Sequence, residues 1–120
     1  MHTVVETPAY LRHARDCGLS QSEMEAIAEM VAKDPMCGDE IAGTGGCRKV
    51  RVARRGKGKS GGYRLVTFFS GQSIPVFLIT IYAKNRKDDL TNAEANALKV
   101  RGKEIVAAYK SRVVALRRTK

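Results

Sequence analysis

The chain has 120 residues, 43% of them hydrophobic and none of them tryptophan, which suits one domain (1–120) of ordinary size with an aliphatic core. Its formal net charge is +10, and the imbalance is one-sided: residues 1–47 hold three Lys or Arg against eight Asp or Glu, residues 48–120 nineteen against four. That asymmetry points to a polyanionic partner, with RNA, DNA or the ribosome first, and not to a membrane surface, because no stretch sets lysines against a strongly apolar amphipathic face.

In chain order, residues 2–6 (HTVVE) form a short strand candidate. Thr7 and Pro8 suit a helix entry, with Thr as cap and Pro at the first helical position. A helix from 8 to about 16 sets Tyr10, Leu11 and Ala14 on one side and stops at Gly18. Ser20 and Glu23 have the spacing of a capping box, and Leu19 and Met24 that of a hydrophobic staple. The following stripe of Met24, Ile27, Ala28 and Val31 predicts a core-facing helix that ends before Pro35. Residues 34–46, with four glycines, read as irregular.

Three strands are predicted at 47–53, 63–70 and 75–84. The last, PVFLITIYAK, is almost continuously apolar and β-branched, as expected of a central strand buried on both faces. Alternation puts Phe77, Ile79 and Ile81 on one face and Thr80, Tyr82 and Lys84 on the other. Thr91 and Glu94 repeat the capping-box spacing and open a helix reaching about Leu116. Its apolar positions are Leu98, Ile105, Tyr109, Val113 and Leu116, with a gap near Arg101, and Gly102 is expected to weaken its middle. The element order is β-α-α-β-β-β-α, an α+β fold with an antiparallel meander against N-terminal helices and a long C-terminal helix.

Residues 48–64 hold eight cations (Arg48, Lys49, Arg51, Arg54, Arg55, Lys57, Lys59 and Arg64) and no carboxylate. The period-two pattern turns Val50 and Val52 inward and Lys49 and Arg51 together toward solvent. Arg64 falls in phase with Val66 and Phe68. Gly56, Gly58, Gly61 and Gly62 suit a hairpin turn between the strands.

Several chemistries are set aside. Gly58-Lys59-Ser60 is not a phosphate loop, since Ala53 stands where that motif needs glycine. Asp88 and Asp89 precede a helix and favour its positive N-terminus. Cys17, Cys37 and Cys47 are odd in number without a Cys-x-x-Cys, and they read as incidental thiols. His2 and His13 lie in the acidic third, away from the cations. No run reaches transmembrane length, and the N-terminus lacks the basic-then-apolar signal-peptide pattern, so the expected location is the cytoplasm. What remains is phosphate chemistry done by cations. An RNA 2′-hydroxyl attacks the adjacent phosphorus, guanidinium groups steady the crowded phosphate, and a lysine among Lys49, Lys57, Lys59 and Lys84 moves a proton if these converge. Tyr63 or Tyr82 would stack on a base or relay a proton.

The runs GCRKVRVARRGKGKSGGYRLVTFF and PVFLITIYAKNRKDDLTNAE resemble RelE/HigB toxins of bacterial type II toxin–antitoxin systems, most of all the HigB-like branch, over about residues 47–100. The resemblance implies a ribosome-dependent, metal-independent endonuclease that cleaves mRNA in the A site and needs no cofactor. It also implies inhibition by a cognate antitoxin, often one with a helix-turn-helix DNA-binding domain. By position it matches Lys49 and Arg51, Arg64, and Lys84 beside Asn85 to the family's basic positions. The expected phosphate residues are Arg51, Lys59, Arg64 and Lys84, and the expected RNA-binding residues are Lys49, Arg54, Arg55, Lys57, Tyr82 and Asn85. A tyrosine that some relatives carry beyond the last strand has no match in residues 86–90. On the long helix, Lys99, Arg101, Lys103, Lys110 and Arg112 either grip ribosomal RNA or simply face water. A non-catalytic RNA- or ribosome-binding module fits the composition equally, and a gyrase-poisoning branch shares the fold implied.

Overall fold

The structure, a computed structural model, describes residues 1–53, 62–83 and 90–118, the side chains of 112–118 excepted. Strand β1 (Val4–Glu6) leads into helix α1 (Pro8–Asp16) and helix α2 (Gln21–Lys33), followed by strands β2 (Asp39–Glu40), β3 (Cys47–Val52), β4 (Tyr63–Phe68) and β5 (Val76–Ala83), and helix α3 (Asn92–Arg118). The strands form one sheet in the order β1-β5-β4-β3-β2, in which β1 runs parallel to β5 and the remaining pairs are antiparallel.

Local chemistry sets the element ends. Thr7 Oγ1 accepts the Tyr10 N–H at 3.2 Å and donates to the Leu78 C=O at 2.7 Å, so one hydroxyl both caps α1 and fastens its start to β5. Gly18, at φ +75°, ends α1 in a Schellman turn: Leu19 N–H reaches the Ala14 C=O and Gly18 N–H the Arg15 C=O. Both capping boxes form, Ser20 with Glu23 and Thr91 with Glu94. Asp34, extended before Pro35, ends α2.

The sheet separates two apolar clusters. On one face, Val50, Tyr63, Leu65, Val76, Leu78 and Ile81 pack with Tyr10, Ala14, Ile27 and Val31 of α1 and α2. On the other, Cys47, Val66, Phe68, Phe77 and Ile79 pack with Leu98, Ile105, Val106 and Tyr109 of α3. Phe77 and Tyr109 meet edge-on, ring centroids 6.2 Å apart. Among the described residues no helix is long and apolar enough to cross a membrane.

Four expectations change. The irregular stretch 34–46 contains β2, which pairs with Arg48 and Lys49. Leu11 is exposed, on the outer side of α1. Phe77 and Ile79 do not share a face with Ile81: the β4–β5 register slips between Val66 and Thr67, so Ile79 is a bulge residue and Ile81 joins Leu78 on the α1/α2 face. Gly102, read as a weak point, is buried where α3 crosses β4. A Cβ there would come within 2.5 Å of the Phe68 ring. The apparent gap in the helix stripe is thus its closest contact, since Leu98, Gly102, Ile105 and Tyr109 follow one another at helical spacing.

Candidate active site

Register decides which cations meet. Arg51 pairs with Arg64, and Arg64 with Tyr82. Directly paired residues on neighbouring strands share a face with Cβ atoms about 5 Å apart, so these three side chains form one row across β3, β4 and β5. The next row is Lys49, Val66 and Thr80. The first row, with Lys49 and Val66 of the second, lies on the face that α3 covers at its Phe68–Phe77 end, while the Thr80 hydroxyl turns to His13 of α1. Arg51 is exposed and Arg64 half-buried, while Tyr82 packs partly against the α3-side cluster.

Like charges set directly opposite destabilise a strand pair. Here two guanidinium groups are so placed, and among the described residues neither meets a carboxylate, the ion pair there being Lys33 with Glu29 on α2. Arg64 Nε is moreover buried and has no hydrogen-bond partner among the described residues. An arrangement that costs stability and leaves a donor unmatched is suited to receive an anion from outside, and planar paired N–H groups fit the oxygens of a phosphate. Arg48 acts differently, since its Nη1 donates to the Met36 and Gly38 carbonyls at 3.0 and 3.1 Å and holds the loop before β2. Asp39 stands opposite Lys49 in the β2–β3 register, at the margin of the cationic rows.

Of the residues assigned from sequence, Arg51, Arg64, Lys49 and Tyr82 fall on this one face. Arg54, Arg55, Lys57, Lys59, Lys84 and Asn85, with the glycine–lysine turn itself, lie outside the described residues. Tyr63 is removed from the site: it is buried on the opposite face, its hydroxyl donating to the Cys17 C=O at 3.4 Å, because it neighbours Arg64 in a strand and so points the other way. The histidines do not form a pair. His2 Nε2 is 2.8 Å from the Ile74 C=O, and His13 Nδ1 is 2.6 Å from Thr80 Oγ1. Position in the acidic third gave no hint that His13 reaches a threonine two residues from Tyr82.

Among the described residues no three His, Cys, Asp or Glu side chains are placed to hold a metal ion. Two cysteines sit where burial favours the protonated thiol. Burial pushes the Cys47 thiol up to about 11, against a smaller opposing effect of the Thr44 hydroxyl. Burial, then Asp34, raises Cys37.

Residues 2–120 match the family described as "RelE toxin of RelE / RelB toxin-antitoxin system". Among solved structures, the free state of a doubly arginine-to-alanine-substituted E. coli toxin RelE is similar in fold, with a TM-score of 0.55. It is 18% identical in sequence, and the match covers 83% of this chain and 95% of that one. With nearly its whole length matching that family, the chain belongs to the RelE toxins and is the toxin of a toxin–antitoxin system.

Proposed function

We propose that this toxin is an endoribonuclease that cuts messenger RNA in the ribosomal A site, independently of metal, with the RNA's own 2′-hydroxyl as nucleophile. The 2′-hydroxyl gives its proton to a base as its oxygen bonds to the adjacent phosphorus, a 2′,3′-cyclic phosphate forms, and the P–O5′ bond breaks with an acid returning a proton to the 5′-oxygen. Arg51 and Arg64 hold the scissile phosphate between them and stabilise the charge that accumulates on its oxygens. Lys49, Lys57, Lys59 and Lys84 are the candidates for proton transfer, and Lys59 and Lys84 also for the phosphate. Arg54, Arg55, Lys57 and Asn85 track the RNA backbone, and Tyr82 offers a ring for a base. The antitoxin carries a helix-turn-helix domain, the system acts in the cytoplasm, and the glycine–lysine turn supports membership of the HigB-like branch.

The observation that supports this reading is the direct pairing of Arg51 with Arg64, neither neutralised by a carboxylate among the described residues. Primer extension on a translating message after induction of the chain tests it. New 5′ ends are expected within codons for the wild type and absent for Arg64→Ala and Lys84→Ala. Arrested translation with intact messages, or cleavage persisting in Arg64→Ala, contradicts the proposal.

A further inference from the structure

The β4–β5 ladder loses register between Val66 and Thr67: Leu78 pairs with Thr67 and Thr80 with Val66, and Ile79 stands extra between them. That slip decides what meets Arg64. In an unbroken ladder Ile81 would stand opposite Arg64, and Tyr82 would stand opposite Tyr63 on the α1/α2 face. The bulge moves each partner by one residue and sets Tyr82 beside Arg64. Glycine in a left-handed conformation sustains one common kind of bulge. Here the inserted residue is isoleucine, and among the described residues no non-glycine φ is positive.

Helix α1 brackets the bulge instead. At its start, Thr7 Oγ1 donates to the Leu78 C=O at 2.7 Å and lies 3.3 Å from the Ile79 C=O. In its last turn, His13 Nδ1 is 2.6 Å from Thr80 Oγ1. One helix thus holds three consecutive residues of β5, with the inserted one in the middle. The pairing of β5 with β1 ends at Leu78, so from Ile79 onward its outer edge has no strand partner among the described residues. There a side-chain contact from α1 takes the place of a ladder. Return to the even register would carry Thr80 one residue, about 3.3 Å, along the strand and break that contact.

We propose that His13 is a positioning residue that fixes the β5 bulge through Thr80 and so sets Tyr82 beside Arg64. This rests on the reading of the Arg51–Arg64–Tyr82 row as the RNA site. His13 acts through Tyr82 and not on the phosphate.

NMR of the ¹⁵N,¹³C-labelled full-length chain reads the register through cross-strand contacts of Arg64 with Tyr82 and of Val66 with Thr80. The wild type should show both. His13→Leu and Thr80→Val each remove one partner of the contact and should weaken or lose them, while His13→Asn and Thr80→Ser should retain them. Asparagine offers an amide near the place of Nδ1 and carries no charge, so its rescue separates the hydrogen bond from a charge at the helix end. Filter binding to a single-stranded oligoribonucleotide gives the second readout. His13→Leu should bind roughly tenfold more weakly, the scale of one lost base stack. The salt slope should be unchanged, because no phosphate contact is removed. In a Tyr82→Ala background His13→Leu should cost nothing further. Cross-strand contacts that persist in both His13→Leu and Thr80→Val, or a further loss in the Tyr82→Ala background, overturn the positioning role. Register lost in His13→Leu together with wild-type binding by Tyr82→Ala leaves the bulge contact standing and overturns the RNA site, so the two failures are distinguishable.

Discussion

Arg64 is held in a place that a folding protein gains nothing from. Its Nε is buried and unpaired among the described residues, and Arg51 stands opposite. Arg64→Met keeps most of the apolar stem and removes both penalties. It should raise stability by about 0.5–1 kcal/mol in urea unfolding, while message cleavage falls by roughly 100-fold or more. A variant that loses stability and activity together would mean that Arg64 is chiefly a packing residue. Tyr10 gives the complementary case. It is fully buried, its hydroxyl has no hydrogen-bond partner among the described residues, and burial, then the charge of Glu6, push its pKa up to about 12. Below pH about 10 folded and unfolded states both keep the proton, so stability there is unaffected. Above it the unfolded chain ionises first, and folding stability is lost as the pH rises toward about 12, by up to about 2 kcal/mol. Cys47 acts in the same direction at slightly lower pH, as its value rises from 9.0 to about 11. Tyr10→Phe should therefore match or exceed the wild type in stability at pH 7 and lose less of it between pH 10 and 12 in urea titrations. The remaining alkaline loss should shrink on adding Cys47→Ser, leaving the part that Cys37 contributes.

At the scale of elements, the docking of α3 on β4 turns on Gly102. Alanine there gains about 1 kcal/mol of helix propensity, but its methyl carbon would sit 2.5 Å from the Phe68 ring in a packed cluster. Overpacking of that kind costs about 1–3 kcal/mol. Gly102→Ala should accordingly lower the thermal midpoint and speed amide exchange in α3. In a Phe68→Leu background the same change should become neutral or stabilising, and a double-mutant cycle measures the coupling. The strands show how far alternation reaches. Period two correctly grouped Lys49 with Arg51 on β3 and Arg64 with Val66 on β4, because neither strand is interrupted. It failed on β5, where Ile79 is the bulge residue and the face reverses beyond it. Local hydrophobicity holds no signal for that bulge, since Ile79 and Ile81 are both buried, on opposite faces.

Across the whole molecule, the sheet divides labour. The α1/α2 layer comes from the acidic third of the chain, and the cationic rows emerge on the far face beside α3. RNA held by such a face should weaken linearly in log–log plots against salt. Each phosphate-contacting arginine removed should flatten the slope by about 0.7 on single-stranded RNA. Filter binding with Arg64→Ala and Arg51→Ala checks this, and a slope unchanged in both would place the backbone contacts elsewhere. The exposed cations Lys99, Arg101, Lys103 and Lys110 of α3 enter the same measurement. If they hold RNA, their removal flattens the slope as well; if they only face water, it does not.

The sequence by itself determined the element order apart from β2, both capping boxes, the end of each N-terminal helix, and the concentration of charge in one part of the chain. These depend on neighbours within four residues or on composition, and no distant contact overrides them. The tertiary structure alone decided that Arg51 faces Arg64, that Tyr63 is buried on the other side, that His13 reaches Thr80, and that Gly102 is an approach point for Phe68. Each of these requires two segments far apart in the chain to be set in register. That register follows from the packing of both sheet faces at once, and no periodicity within a single segment encodes it.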